Sequence, residues 1–419
     1  MMILMTMLLV VLHPTQIQSN DDFNKYVERF QKQYEIGSEE YKYHEQIYDS
    51  TLKHIQQHNQ LPNQYYQQGV NQFTDQTPSN IFKGYQSSKS SQSSKSSSRT
   101  LTQLPFTLDD IQDLPTHIDW RLHNIVSPVK DQGSCGSCWA FATTEIVESS
   151  VALHTSQLLE LSPQQLVDCV ENVQECGGTG GCAGATVELG LEYILQSGGM
   201  VLEQSLEYLA KDDRCPYYDH QQYDYQQYDY QHDYHDQMTK THLRRLFKDS
   251  EHPTTTNNNN PNPVASIEGF VTLPTNDYQA VMNAIAKMGP IAVAVDASHW
   301  YLYDSGIYTG NPDGTFESDI DHAVVLVGYG TDDETGLDYW LVRNSWGPHW
   351  GEDGYIRLLR NAETAQTVET HCAMDTKPLD GSGCALDKNG ATVLPKPVLV
   401  CALDGILFDV VVPLGGYLV

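Results

Sequence analysis

The chain has 419 residues, enough for two or three domains, and Asp plus Glu outnumber Lys plus Arg by 54 to 24, a formal charge of -30. That acidity excludes a general nucleic-acid binder, which needs a basic excess against phosphate, and argues against docking on anionic membranes. Charged residues are only 19% of the chain; the acidity is spread among Gln, Asn, Ser and Tyr, the composition of segments that do not fold alone.

Residues 2–12 (MILMTMLLVVL) form an apolar run too short to span a bilayer. It fits a signal-peptide core, with cleavage expected near Ser19 or Asn20. In a secretory chain the nine cysteines (Cys135, Cys138, Cys169, Cys176, Cys182, Cys215, Cys372, Cys384 and Cys401) predict up to four disulfides and one thiol. None precedes position 135, so the first third is held together differently. From Glu40 to Asn59 no Gly or Pro intervenes, and Tyr41, His44, Tyr48, Thr51 or Leu52, and Ile55 recur at helical spacing. The run SSKSSQSSKSSS at 87–98 reads as an exposed, cleavable linker.

A region richer in Gly, aromatic residues and Cys begins near Leu114 and Pro115. Ser137 is predicted to cap a helix from Cys138 to Leu153, and a second helix is expected over 184–197. Low-complexity tracts at 217–236 and 254–263 mark an insertion of 47 residues, 216–262. Its His220, His232, His235 and His242 lack a fixed scaffold, so no metal site is expected, and nothing in the chain calls for a cofactor. Residues 290–296, 322–329, 339–343 and 354–359 are Val- and Ile-rich and predict strands. Helices first and sheet second imply an α+β fold of two packed subdomains.

The chemistry concentrates in DQGSCGSCWAFA at 131–142. A C-x-x-C pair alone is a redox pair, half a metal site or coincidence. Cys138, however, opens a predicted helix whose N-terminus favours a thiolate. His322 opens the strand HAVVLVGY, and Asn344 follows in RNSWGPHWGEDGY. An Asn carbonyl can orient one imidazole nitrogen while the other takes the thiol proton. Trp346 could shield that bond, and Gln132 could donate to an oxyanion beside the Cys138 N–H.

These stretches resemble the papain family of cysteine peptidases, whose signature C-G-[SA]-C-[WY] reads here Cys135, Gly136, Ser137, Cys138, Trp139. The gaps from Cys138 to His322 and Asn344 are 184 and 206 residues, longer than the family's usual span of about 130–150. Without the insertion they become 137 and 159. The front region resembles the inhibitory propeptide of the cathepsin L branch. Its helical pattern falls on Glu40, His44, Tyr48, Thr51, Ile55 and Asn59, with Arg, Phe and Asn replaced at His44, Tyr48 and Thr51. Its G-x-N-x-F-x-D motif falls on Gly69, Asn71, Phe73 and Asp75.

The resemblance implies a papain-like two-subdomain fold, with a helical left half and an antiparallel β-barrel-like right half, preceded by a mainly helical prodomain. The expected organisation is a signal peptide (1–19), an inhibitory prodomain (20–84), a low-complexity linker and activation region (85–113) and a peptidase domain (114–419) with insertions at about 216–262 and 373–404. It implies Cys138 as nucleophile, His322 as base then acid, Asn344 as its orienter and Gln132 as oxyanion donor. It also implies the disulfides Cys135–Cys182 and Cys169–Cys215, leaving Cys176, Cys372, Cys384 and Cys401 open. Substrate would contact Gly184, Ala185, Trp346 and a pocket residue for the second position before the scissile bond. Two registers place Asp409 or Lys377 there; Asp409 keeps the spacing to Pro413 and would admit Arg beside Leu or Phe.

The activity so implied is a cysteine endopeptidase acting on proteins or peptides through an acyl-enzyme. It would be monomeric, without nucleic-acid or membrane partners, in the secretory pathway: lysosome, vacuole or outside the cell. Its own prodomain would silence it until acid weakens carboxylate bonds such as those of Asp75 and Glu40. The alternatives are an exopeptidase, disfavoured by the long prodomain helix, and a non-catalytic binding relative, disfavoured by intact Cys138, His322 and Asn344.

Overall fold

The computed structural model describes residues 15–62, 64–78, 81, 104–217, 261–310, 318–360, 372–381, 383–393 and 396–419. The apolar run at 2–12, the Ser/Lys linker and the four histidines of the 216–262 insertion lie outside them.

Helices α1 (Thr15–Arg29) and α2 (Glu39–Asn59) form the front unit. Ser38 is extended, and its hydroxyl accepts the Tyr41 N–H at 3.0 Å. Glu39 and Glu40 sit in the first turn, where the helix dipole favours negative charge. Tyr41 and Tyr48 bury one face of α2 against Phe23 and Tyr26 of α1, with ring centroids 5.0 Å apart for Phe23–Tyr41 and 4.7 Å for Tyr26–Tyr48. Strand β1 (Tyr66–Gln68) follows.

The helical half consists of α3 (Cys138–Thr155), α4 (Pro163–Cys169) and α5 (Val187–Ser197). All residues of α3 from Cys138 to Ala152 are buried, as expected of a helix wedged inside a core. Ser137 does not cap it through its side chain; the hydroxyl lies 2.6 Å from the Tyr208 hydroxyl instead. Helix α5 begins three residues later than the sequence suggested, because Gly184 has φ +94, a left-handed conformation outside a right-handed helix. Thr186 caps α5.

The other half is a nine-stranded sheet. Along the sheet the order is β1, β6 (Tyr303–Tyr308), β9 (Tyr355–Leu359), β8 (Asp338–Arg343), β7 (His322–Thr331), β5 (Ile291–Val295), β12 (Val410–Leu414) and β4 (Gly269–Thr272), with β2 (Ile118–Asp119) pairing β7 beyond the end of β5. The barrel-like right half expected from the resemblance is not formed. The sheet is open, with β1 and β4 as its edges, and mixed, because β6 runs parallel to β9. The outer edge of β6 is paired by β1 of the front unit, and β4 ends the sheet at the far side. Two short ladders lie apart: β3 (Ala265–Ser266) with β13 (Tyr417–Leu418), and β10 (Cys372–Asp375) with β11 (Val398–Cys401).

Strand β7 explains why its sequence is almost continuously apolar. Val324 and Leu326 face one core with α6 (Tyr278–Met288), while Ala323, Val325 and Val327 face the other with α3. A strand buried on both faces needs no polar alternation. Between these layers Glu145 of α3 pairs with Arg343 at 3.0 Å. Lys130 reaches Glu148 at 2.5 Å, and the Ser127 hydroxyl donates to the same carboxylate.

Burial pushes the Asp375 carboxyl up to about 7, with Asp319 and Asp380 adding to the rise and the Lys377 and Ile320 N–H groups opposing it. A carboxyl of raised folded pKa binds its proton more tightly in the native state. The stability it contributes is therefore present in acid and declines as pH rises from the unfolded value near 4 through about 7. Asp375→Asn should accordingly raise Tm by ~2–4 °C at pH 7.5 and leave it nearly unchanged at pH 5. Calorimetry on the intact chain carrying Cys138→Ala measures this; a loss of stability at pH 7.5 would contradict it.

Candidate active site

Cys138 begins α3, and its Sγ accepts the Ala323 N–H at 3.3 Å. His322 is the first residue of β7, held opposite Val295 of β5. Its Nε2 lies 2.8 Å from Asn344 Oδ1, just past the end of β8. That oxygen also accepts the Ser345 N–H at 2.8 Å, which fixes the amide orientation. Since Oδ1 only accepts, Nε2 carries the proton and Nδ1 is the basic nitrogen. Trp346 lies over the imidazole with ring centroids 5.1 Å apart and packs edge-on against Trp350. Cys138, His322 and Asn344 are all fully buried.

Gln132 is fixed on both ends of its amide: Nε2 donates to Cys135 O at 3.0 Å, and Oε1 accepts from Ser345 Oγ at 2.7 Å. The loop ahead of α3 is clamped by the Cys135–Cys182 disulfide, by Gly136 N–H to Cys182 O at 3.0 Å and by Trp139 Nε1 to Gly181 O at 3.1 Å. With the bridge between Gly136 and Ala183, these bonds hold the segment leading into Gly184 and Ala185 against the loop ahead of Cys138. The Ala185 methyl is buried in the α3 core, where it does not intrude on the groove. Cys169 bonds Cys215, Cys176 bonds Cys384, and Cys372 bonds Cys401; Cys138 is the one free thiol. Asp409 is half-buried ahead of β12, its carbonyl accepting the Ala294 N–H at 3.0 Å. Lys377 pairs with Asp319 at 2.6 Å.

The thiolate expected from the helix N-terminus is not favoured here. Burial pushes the Cys138 thiol up to about 12; the Asp321 charge adds to the rise, while N–H groups of Ala323, Trp139 and Cys138 itself oppose it. A helix terminus contributes about 0.3–1 kcal/mol, less than burying an anion costs. Burial therefore disfavours the thiolate in this form.

The front unit docks next to this site, against Trp346. Strand β1 pairs antiparallel with β6, Tyr66 opposite Gly306 and Gln67 opposite Ser305. Gly306 has φ +95, and a Cβ there would lie 2.4 Å from Tyr65 O, so only glycine allows this approach. Beyond the strand, Asn71 Nδ2 donates to Tyr301 O at 2.7 Å, Gln72 Nε2 donates to Trp346 O at 2.5 Å, and Phe73 meets Trp346 edge-on at 5.3 Å. Asp75 is the buried knot behind them. It accepts from Tyr26 and Tyr34 hydroxyls, both at 2.8 Å, and from Lys32 Nζ at 2.9 Å. His44, at the substituted Arg position, holds the Asp75 carbonyl at 2.8 Å and stacks on Tyr34. Glu40 is exposed and is not part of this knot. In the activation region, Asp109 pairs with Lys287 of α6 at 2.8 Å.

Sequence reasoning missed Tyr208, whose hydroxyl donates to Gln132 O at 2.8 Å, and the Glu145–Arg343 pair. Neither carries a motif. Ser345 was legible only as the neighbour of Asn344. Among the described residues no group of His, Cys, Asp and Glu is arranged to hold a metal, and no helix is long and apolar enough to cross a membrane.

Comparison with known proteins agrees with this geometry. A profile described as papain family cysteine protease matches residues 114–379, and one described as cathepsin propeptide inhibitor domain (I29) matches residues 23–81. The chain is 33% identical over 371 residues to the probable cysteine protease RD21C of Arabidopsis thaliana, covering 87% of this chain and 68% of that protein. It is 32% identical to a cathepsin L-like peptidase of Aedes aegypti, covering 85% and 91%. Among solved structures, digestive procathepsin L 3 of Tenebrio molitor larval midgut superposes with a TM-score of 0.63 at 25% identity, covering 94% of this chain and 99% of that one. Recombinant stem bromelain precursor gives 0.64 at 25%, covering 95% and 99%. The family profile covers well over half of the chain, and an open cleft-forming sheet, a buried thiol and a docked inhibitory front unit accompany it: the chain belongs to the papain family of cysteine proteases and is a cysteine endopeptidase made as a zymogen with an I29-type inhibitory propeptide.

Proposed function

We propose that Cys138 is the nucleophile of this endopeptidase, His322 its general base and then acid, Asn344 the residue that orients His322, and Gln132 the oxyanion donor. The observation that carries the reading is the 2.8 Å bond from His322 Nε2 to Asn344 Oδ1 on the strand whose next N–H donates to Cys138 Sγ. With Nε2 committed to Asn344, Nδ1 takes the thiol proton. The thiolate attacks the scissile carbonyl, and the imidazolium returns its proton to the leaving amine. Water, deprotonated by the same histidine, then cleaves the thioester and regenerates the thiol. Trp346 keeps water from the His322–Asn344 bond. Gly184 and Ala185 would pair with the extended substrate ahead of the scissile bond, with Asp409 at the next pocket.

The organisation that suits this chemistry is a leader at 1–19, a prodomain at 20–84, a linker and activation region at 85–113 and the enzyme from 114. A disulfide-bonded chain of this family belongs to the secretory pathway; we place its destination in an acidic lysosome or vacuole, or outside the cell. Asp75 ties the prodomain together: as a carboxylate it satisfies two phenols and an ammonium at once.

Cys138→Ala should reduce peptide hydrolysis by more than ~1000-fold with unchanged circular dichroism. In the wild-type zymogen at pH 7, Cys138 should alkylate at least ~10-fold more slowly than in the matured enzyme, because burial disfavours the thiolate. Mass spectrometry after timed iodoacetamide exposure reads this directly, and equal rates would count against the reading. Asp75→Asn leaves Lys32 buried without its counter-charge, which costs about 3 kcal/mol. The variant should process itself at pH 7 many times faster than wild type; processing unchanged at pH 7 and still accelerated by acid would remove Asp75 from the mechanism.

A further inference from the structure

Residues 372–381, 383–393 and 396–404, at the second insertion, form a strap whose root and apex are fastened to different halves of the enzyme. The root belongs to the sheet half. Its strands β10 and β11 are closed by Cys372–Cys401. Thr376 N–H and Lys377 Nζ bond the Asp319 carboxylate at 2.7 and 2.6 Å, and Val400 is fully buried with Ile320 and Ala294. Asp319 and Ile320 lie three and two residues before His322.

The apex belongs to the helical half. Cys384 is bonded to Cys176, 208 residues away in sequence. Around that bond, Gly177 N–H donates to Gly383 O at 3.0 Å, Ala385 N–H to Glu175 O at 3.2 Å and Leu386 N–H to Gln174 O at 3.0 Å. The loop it grips is the one that presents Gly184: Asn172 Nδ2 spans Cys176 O, Gly178 O and Gly184 O at 2.8, 3.0 and 3.4 Å. Gly178 packs so closely on this segment that a Cβ would lie 2.0 Å from Ala183 O.

We infer that this strap ends the substrate groove on the amino side of the scissile bond, crossing from the β7 wall to the Gly184 wall and limiting how many residues ahead of the cleaved bond can lie extended in the site. The inference rests on the proposed roles of Cys138 and of Gly184–Ala185. A chain in the groove with Cys138 at its scissile bond passes Ala185 and Gly184 in turn, and the strap is fastened at the next step. Internal bonds remain cleavable, because a flexible substrate can turn out of the groove ahead of the strap. A substrate that stays extended for several more residues collides with it. Val398 and Phe408 pack against buried Val400, Ile320 and Ala294 and anchor the root of the strap, and the disulfide keeps the two walls from spreading at its apex.

The test uses the acid-matured full-length protein and two fluorogenic peptides with the same two residues ahead of the scissile bond. One is blocked immediately before those residues; the other continues by four residues stiffened with proline. Wild type should favour the short peptide by roughly fivefold or more in kcat/KM, whereas Cys176→Ser with Cys384→Ser should reduce that preference to within twofold, keeping the short peptide within about threefold of wild type. Equal turnover of both peptides by wild type overturns the inference even if the variant does not fold. A preference unchanged in a folded double variant overturns it as well. Stoichiometric labelling of Cys138 by a thiol-directed epoxide, run on the same samples, separately scores the catalytic reading.

Discussion

The structure hangs on the packing of one helix end against one strand end. Helix α3 can be buried almost all round only because β7 offers it a face of Ala323, Val325 and Val327. That packing sets Cys138 Sγ on the Ala323 N–H, one residue past His322. The Glu145–Arg343 pair crosses the same interface, and Arg343 immediately precedes Asn344. Burial pushes Glu145 up to about 7, against the opposing charges of Arg343 and Lys130. A buried pair of this kind contributes little net stability but is costly to break, so its role here is to fix the spacing between the walls that carry the site.

The inhibitory front unit exploits an edge that the sheet leaves open. An unpaired edge strand is a ready template for another segment, and β1 occupies it along β6. From there Asn71, Gln72 and Phe73 reach Tyr301 and Trp346, so one docking event both pairs the edge and covers the tryptophan that shields the histidine. The thiol itself is buried in the α3 core, and that burial raises its pKa more than the helix terminus can offset. The geometry of catalysis and the silence of the zymogen therefore coexist in one conformation.

By itself the sequence determined the chemistry and most of its scaffold. Cys138, His322 and Asn344 sit in local texts that require their neighbours: a helix start, a strand buried on both faces and a turn closed by Gly and Trp. Helix α2 was legible from its helical spacing and strands β5, β7, β8 and β9 from their Val- and Ile-rich runs, because each is set by its own residues. The short strands β1, β4, β6 and β12 were not, since their pairing depends on partners distant in the chain. Tertiary structure alone decided that the sheet stays open, with β1 and β4 at its two ends. It also decided how Cys176, Cys372, Cys384 and Cys401 pair, and that burial raises the Cys138 thiol pKa against the helix terminus. Pairing and burial are properties of what is brought alongside a residue, and no spacing along the chain encodes them.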